Sequence, residues 1–328
     1  MTTIRPLRSA DADALRTLFR EFPHKKAQQK FQKIDSEKLA EFFVRTEMDR
    51  LGAGANATSV AQLVAEENGA IAAYAALHRD PWHSGYYSRH FGRVSPFLVY
   101  RASADARTAL LDALLDAARV DRCEHLIIRI DSSEHDLLPL LNSRGFYLVD
   151  CSVKLSARIA EIPVVAAPPA AAGVVIRPYR EGDLGAVMAI ASSSHPFNHY
   201  YNDPNLARRD TDRLFEGWIE RCCTKLGATV YVADRAGEVL GFAIYLTPGI
   251  LNRALDMRLV ILDFVCLGTS VQGGGIGRWL IAETLKLLAE RFDMVELRTS
   301  QNNYPALRCY HSLAVHDVTG DFILHVAL

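Results

Sequence analysis

The chain has little of several things that would fix its class. Of 328 residues only six are cysteines: Cys123, Cys151, Cys222, Cys223, Cys266 and Cys309. No two form a Cys-x-x-Cys, and none stands at zinc-ligand spacing from a histidine, which argues against a disulfide framework and a metal site. Scattered thiols in a chain this long suit buried side chains of a reducing compartment. No stretch approaches the ~18–20 apolar residues that a membrane span requires. The start, MTTIRPLRSADAD, lacks the apolar core of a secretory signal, so the expected location is cytoplasmic, away from membranes. An excess of one charge is missing too. Lys and Arg total 37 against 38 Asp and Glu, a formal net charge of −1, which excludes the basic footprint of a nucleic-acid binder. What is present is ordinary for a folded protein. Hydrophobic residues make up 49%, too many for extended disorder, and the length suits two domains of ~100–200 residues each.

The two domains show as an internal repeat. Ile4-Arg5-Pro6-Leu7-Arg8 with Asp11 returns 172 residues later as Ile176-Arg177-Pro178-Tyr179-Arg180 with Asp183. Val64-Ala65-Glu66, Gly69 and Ile71 return 168 residues later as Val232-Ala233-Asp234, Gly237 and Val239. Between the copies lies Ala166-Ala167-Pro168-Pro169-Ala170-Ala171-Ala172-Gly173, whose small residues and paired prolines read as a linker. The expected organisation is a first copy over 1–157, a linker over 158–173 and a second copy over 174–328.

Within the second copy the periodicity predicts a strand over Val174–Pro178 and a helix over Asp183–Ser192. A helix over Leu206–Cys223 precedes a hairpin of Thr229–Asp234 with Val239–Leu246. A long apolar strand, Arg258–Leu267, leads to an amphipathic helix over Gly277–Arg291. A strand over Val295–Thr299, a short helix over Pro305–Ser312 and a last strand over Phe322–Val326 complete the copy. The first copy follows the same plan, with a long helix over Ala104–Val120 and a last strand that starts near Gly145.

The sharpest local signal is Gln272-Gly273-Gly274-Gly275-Ile276-Gly277-Arg278, between that apolar strand and that helix. Glycines let the backbone turn tightly and let a bulky group reach the amides. Free amides at a helix start, with the helix dipole, form an anion site suited to pyrophosphate. The alternative is a plain surface turn. No Lys-Ser/Thr follows, so this is not a P-loop, and it falls too late in the domain for a dinucleotide fold.

Gln272, Gly275 and Gly277 after a fourth strand match the Gln-x-x-Gly-x-Gly signature of the GNAT acetyltransferase superfamily. Asn303-x-x-Ala306-x-x-x-Tyr310, after the next strand, looks like its second signature. The resemblance implies an α/β (α+β) protein of two tandem GNAT-like domains, each a mixed, mostly antiparallel sheet flanked by helices. It also implies acetyl-CoA as co-substrate, with no metal. Pyrophosphate would lie on Gln272–Arg278, backbone of Cys266 and Leu267 would pair with pantetheine, and Asn303 and Ala306 would line its arm. Tyr310 would protonate the departing thiolate. The chemistry is reasonable on its own terms: a phenol of ordinary pKa ~10 is protonated at neutral pH and can donate to a thiolate. Asp263 on the fourth strand is a candidate base or water-positioner, with a sheet-surface salt bridge as the alternative.

The segment Ser192–Pro204 is dense in aromatic, amide and imidazole groups, a composition suited to a sugar or nucleotide, or else to packing on its own core. His195 and His199 have surface histidines as their plain reading. Tyr201-Asn202-Asp203-Pro204, then Asp212-Arg213-Leu214-Phe215 and Trp218-Ile219, resemble the TDP-fucosamine acetyltransferases, which act on nucleotide-linked amino sugars. That resemblance implies acceptor contacts at His199, Tyr200, Tyr201 and Thr299, and a primary amine on an amino sugar as acceptor. Other small amines, or acetyl-CoA binding without turnover, are the alternatives. Ser300 stands where that family has Gln.

The first copy has no glycines at the matching place, which reads Val99-Tyr100-Arg101-Ala102-Ser103-Ala104-Asp105, and it lacks the second signature. It is expected not to bind acyl-CoA. Roles in shaping the acceptor site or in forming a homodimer stay open. The segment Arg79–His90 reads as an exposed loop.

Overall fold

The computed structural model describes residues 2–24, 26–53, 58–192 and 197–328. They divide into two compact units: Met1–Cys151 with Gly320–Leu328, and Ser152–Thr319. Among the described residues no helix is long and apolar enough to cross a membrane, and all six cysteines are free thiols.

In the first unit the strands are β1 (Thr2–Pro6), β2 (Ser59–Glu67), β3 (Ala70–Arg79), β4 (Phe91–Leu98) and β5 (His125–Asp131). The helices are α1 (Ala12–Arg20), α2 (Ala27–Lys30), α3 (Ser36–Gly52), α4 (Pro81–Tyr87), α5 (Ala104–Val120) and α6 (Leu138–Ser143). Strand β6 (Tyr147–Arg158) then runs on into the second unit. There β7 (Val174–Pro178), β8 (Thr229–Arg235), β9 (Glu238–Leu246), β10 (Leu259–Leu267) and β11 (Met294–Ser300) alternate with α7 (Leu184–Ser192), α8 (His199–Asn202), α9 (Arg208–Thr224), α10 (Gly249–Leu255), α11 (Ile276–Leu288) and α12 (Tyr304–Ser312). The last strand, β12 (His316–Ala327), returns to the first unit.

Each sheet is antiparallel except for one pair. In the first unit the order is β1-β2-β3-β4-β5-β12, with β4 and β5 parallel. In the second it is β6-β11-β10-β9-β8-β7, with β10 and β11 parallel. The repeat therefore extends to topology, and it extends to side chains. Arg5 binds Asp11 and Glu66, each at 2.7 Å. Its counterpart Arg177 binds Asp183 at 2.7 Å and Asp234 at 2.5 Å. Each clamp ties its first strand to the start of its first helix and to the hairpin, so the Arg-x5-Asp spacing seen in the sequence is a structural device rather than a catalytic one.

The last strands are exchanged in the sense of chain order. Ser152–Arg158 of β6 pairs antiparallel with β11, Val153 opposite Thr299 and Leu155 opposite Leu297. Phe322–Ala327 of β12 pairs with β5 of the first unit. Cutting the chain at its repeat boundary thus does not reproduce either unit. The segment read as a linker, 158–173, lies within the second unit. Ile159 and Ala171 are buried in its core, and two short 3-10 turns shape it. Where an exposed loop was expected after Arg79, helix α4 forms instead. Asp80 caps it, accepting from the His83 amide at 3.2 Å, and Tyr87 is buried. Asp80 also binds Arg93 at 2.8 Å, so this segment is anchored rather than free.

Both faces of the second sheet are covered. On one face Val260, Leu262, Val295 and Leu297 pack with Ile276, Leu280 and Leu285 of α11 and Tyr310 of α12. On the other, Phe242, Phe264 and Cys266 pack with Val187 of α7 and Ile219 of α9. Leu262 and Phe264 lie two residues apart yet face opposite sides. The β10–β9 register slips between them, leaving Asp263 as the extra residue of a β-bulge.

Candidate active site

Strands β10 and β11 pair only at Leu259 with Met294, Val260 with Val295 and Ile261 with Glu296. Beyond Ile261 the two parallel strands part. On its other edge β10 stays bonded to β9, Cys266 opposite Phe242 and Leu267 opposite Gly241. The β10–β11 register therefore ends at Ile261 opposite Glu296, and the strands splay from Asp263 onward.

The glycine loop closes the far end of this opening. Gly275 is the N-cap of α11, left-handed with φ 84°, and Gly273 has φ 79°. L side chains rarely adopt these values, so the two glycines answer a backbone need. The N-cap makes no side-chain cap hydrogen bond, so the leading amides of α11 and its dipole have the character that suits an anion. Packing explains the other two glycines. A Cβ on Gly274 would lie 2.9 Å from Ala170, and one on Gly277 would lie 3.2 Å from Leu267. Gln272 is exposed and donates to the Leu267 carbonyl at 3.0 Å, bracing the turn. Arg278 is exposed and donates to the Ser312 carbonyl at 3.3 Å, tying α11 to α12. Ile276 is fully buried.

Asn303 is the N-cap of α12. Its side chain accepts from the Ala306 amide at 3.4 Å, and its Nδ2 donates to Thr299 Oγ1 at 3.0 Å. Pro305 sits in the first turn, where a missing N–H is harmless. Ala306 packs on the core below. Thr299 thus meets Asn303. Tyr310 is buried in the cluster that holds Val265, Leu267 and Ile276. Burial raises its pKa well above the ordinary phenol value, with Cys309, Cys266 and Tyr245 nearby adding to the shift.

On the opposite face stands Asp263. Its Oδ2 accepts a hydrogen bond from Trp218 Nε1 at 2.7 Å. Burial pushes the carboxyl upward in pKa, and the Trp218 bond partly offsets this. The bulge that holds Asp263 explains its direction: the extra residue turns it toward α9, where Trp218 packs on the core. No salt bridge to Asp263 exists among the described residues. The sequence placed Trp218 on the right helix but assigned it no role, since only the fold brings it to Asp263.

The acceptor segment is partly described; His195 lies outside the described residues. His199 and Tyr200 are each 6% exposed, so His199 is not a surface histidine. Their rings lie 3.9 Å apart. Tyr201 stacks on Phe215 at 5.7 Å and donates to Asp212 Oδ1 at 2.7 Å, with Arg208 over its ring. Phe215 contacts Phe264, which stacks on Phe242. An aromatic chain therefore runs from the acceptor segment to β10. The Cys266 thiol is buried among these groups.

The first unit differs at the corresponding helix start. Ser103 caps α5, and Glu67 takes up both the Ser103 amide, at 2.9 Å, and its hydroxyl, at 2.5 Å. These bonds hold the Glu67 carboxyl below its usual pKa. A carboxylate of the chain itself therefore stands at the N-cap of this helix.

Comparisons with known proteins bear on the family and the fold. Residues 189–314 match the acetyltransferase (GNAT) family model. The spore coat polysaccharide biosynthesis protein SpsD of Bacillus subtilis (strain 168) is 23% identical over 150 residues, 45% of this chain and 49% of that protein. The match thus spans about half the length of that relative. A GCN5-related N-acetyltransferase from Sphaerobacter thermophilus superposes with TM-score 0.66 at 16% identity, over 99% of this chain and 95% of that one. A tandem GNAT protein from the clavulanic acid biosynthesis pathway gives 0.56 at 14%, over 100% and 98%. At these identities the structural likenesses speak for the fold.

Proposed function

Because residues 189–314 form a GNAT acetyltransferase domain, as the fold and the family model agree, we propose that the second unit moves an acetyl group from acetyl-CoA to the primary amine of an amino sugar, one linked to a nucleotide. The observation that carries the proposal is the opening between β10 and β11, with an uncapped helix start at its end and two titratable side chains on opposite faces.

The residues fit acetyl-CoA as co-substrate. The amides of Gly275–Arg278 suit its pyrophosphate, and the opening where β10 parts from β11 suits its pantetheine arm. Direct transfer needs a base on the side of the amine and an acid on the side of the sulfur. Asp263 takes the proton of the attacking ammonium, directly or through water, and Trp218 fixes the carboxylate that does so. The nitrogen lone pair forms the new N–C bond, and the C–S bond breaks. Tyr310 gives its proton to the leaving thiolate and takes one back from the nitrogen of the new amide, which still carries two, and its raised pKa keeps it protonated across the neutral range. No covalent enzyme intermediate is needed, which agrees with the burial of Cys266.

The sugar acceptor rests on the aromatic segment around Tyr201 and on the similarity to SpsD, whose name places it in polysaccharide biosynthesis. Purified protein with acetyl-CoA and a panel of amines, followed by thiol release, tests the reading. Release with TDP- or UDP-linked amino sugars is the expected result. Release with aminoglycosides, amino acids or polyamines alone would retain acetyl transfer and discard the sugar.

A further inference from the structure

The sheet face that carries Asp263 also carries buried polar side chains that the transfer of the acetyl group leaves unused. Val295 and Leu297 of β11, with Leu155 and Ala157 of β6, pack under α11 and α12. Strand alternation therefore turns Glu296 and Arg298, with Ser152 and Lys154, to the opposite face. There Lys154 Nζ meets Glu296 Oε1 at 2.6 Å, and Arg298 Nη1 donates to Ser152 Oγ at 3.0 Å.

Glu296 is only 6% exposed, and its second oxygen, Oε2, is buried with no hydrogen-bond partner among the described residues. A carboxylate oxygen bare of donors and shut from water is strongly disfavoured, and native proteins seldom keep one without a use. An ion pair made only to join two strands would be satisfied by water at the surface. Its place is specific as well. The pair Ile261 with Glu296 is the last rung before β10 and β11 part, and Asp263 follows two residues along β10. Glu296 stands where the opening begins.

We propose that Glu296 is a recognition residue for the acceptor: Oε2 accepts a hydrogen bond from a donor of the incoming amine, either its ammonium or a ring hydroxyl, while Lys154 holds Oε1 and so presents Oε2. The partner chemistry is a polar donor group beside the reacting nitrogen. This inference rests on the amine-acceptor reading above. It gives β6, the strand that arrives from the first repeat, a part in the specificity of the second.

The test compares wild type, Glu296→Gln and Glu296→Ala by calorimetric binding of D-glucosamine and a TDP-linked amino sugar, and by steady-state kinetics. Melting temperature and acetyl-CoA affinity verify that the variants fold. The expected result is an acceptor Kd and KM raised tenfold or more in Glu296→Ala, with acetyl-CoA affinity and kcat within threefold. If the donor is an ammonium, Glu296→Gln loses as much as Glu296→Ala. If it is a hydroxyl, the amide oxygen of Gln keeps most of the affinity. Unchanged acceptor binding in Glu296→Ala, or a wild type that binds neither sugar, overturns the proposal. Binding that depends on Glu296 without any acetyl transfer would refute the transferase reading and leave the recognition site standing.

Discussion

Trp218 Nε1 donates to Asp263 Oδ2 at 2.7 Å, joining α9 to the bulge of β10. The bond stabilises the ionised carboxylate against a burial that favours its protonated form. As the proposed base, Asp263 works only when deprotonated, so activity is expected to fall as the pH drops through its raised pKa. Removing the donor in Trp218→Phe raises that pKa further. A hydrogen bond to a charged group contributes ~1.5–3 kcal/mol, equivalent to ~1–2 pH units. The acid limb of kcat/KM for the acceptor is expected to move up by that amount, and a pH profile checks it. An unmoved limb would remove Asp263 from the reaction.

Tyr310 has no hydrogen bond to its hydroxyl among the described residues, so Tyr310→Phe is expected to fold and melt like the wild type. If the phenol supplies the proton, kcat falls ~10²–10⁴-fold, the usual contribution of a general acid. Acetyl-CoA affinity stays the same. Full turnover in Tyr310→Phe would discard the acid assignment.

Gly275 caps α11 with φ 84°, and an added Cβ would lie 3.4 Å from Pro168. Gly275→Ala strains the cap by ~1–2 kcal/mol and displaces the leading amides of α11, the proposed pyrophosphate site. Acetyl-CoA affinity should weaken at least tenfold by calorimetry while the melting temperature drops by only a few degrees.

Glu67 occupies the helix start of the first unit, so calorimetry should return one acetyl-CoA per chain. Two sites would contradict the role of this carboxylate. Its folded pKa is depressed. The stability it contributes is therefore present above the unfolded carboxylate value and is lost as the pH falls through the lower folded value. The acid-unfolding profile of Glu67→Gln should be flatter than that of the wild type over this range.

The two hairpins of the repeat differ at one residue of strained backbone. Asn68 and Gly69 both have positive φ in the first, and Ala236 and Gly237 in the second. Alanine disfavours this region by ~1 kcal/mol, whereas Asn tolerates it. Ala236→Asn should raise stability by ~0.5–1 kcal/mol in denaturant melts and leave activity unchanged.

The repeat, the class of fold and the two motifs around Gly275 and Asn303 are legible in the sequence alone. These are legible because each depends on local backbone chemistry: glycine where φ is positive, a capping side chain before a helix, apolar residues at strand and helix spacing. It also flagged Asp263 and Tyr310 as candidates. What it did not contain was their surroundings. The bulge that turns Asp263 toward Trp218, the bare oxygen of Glu296 beside Lys154, and the Glu67 carboxylate on α5 join residues 36 to 142 positions apart. The exchanged strands were equally hidden, because β6 and β12 read as sound last strands for either copy. Hydrophobic alternation says that a strand is covered, and only the tertiary structure decides which sheet it completes.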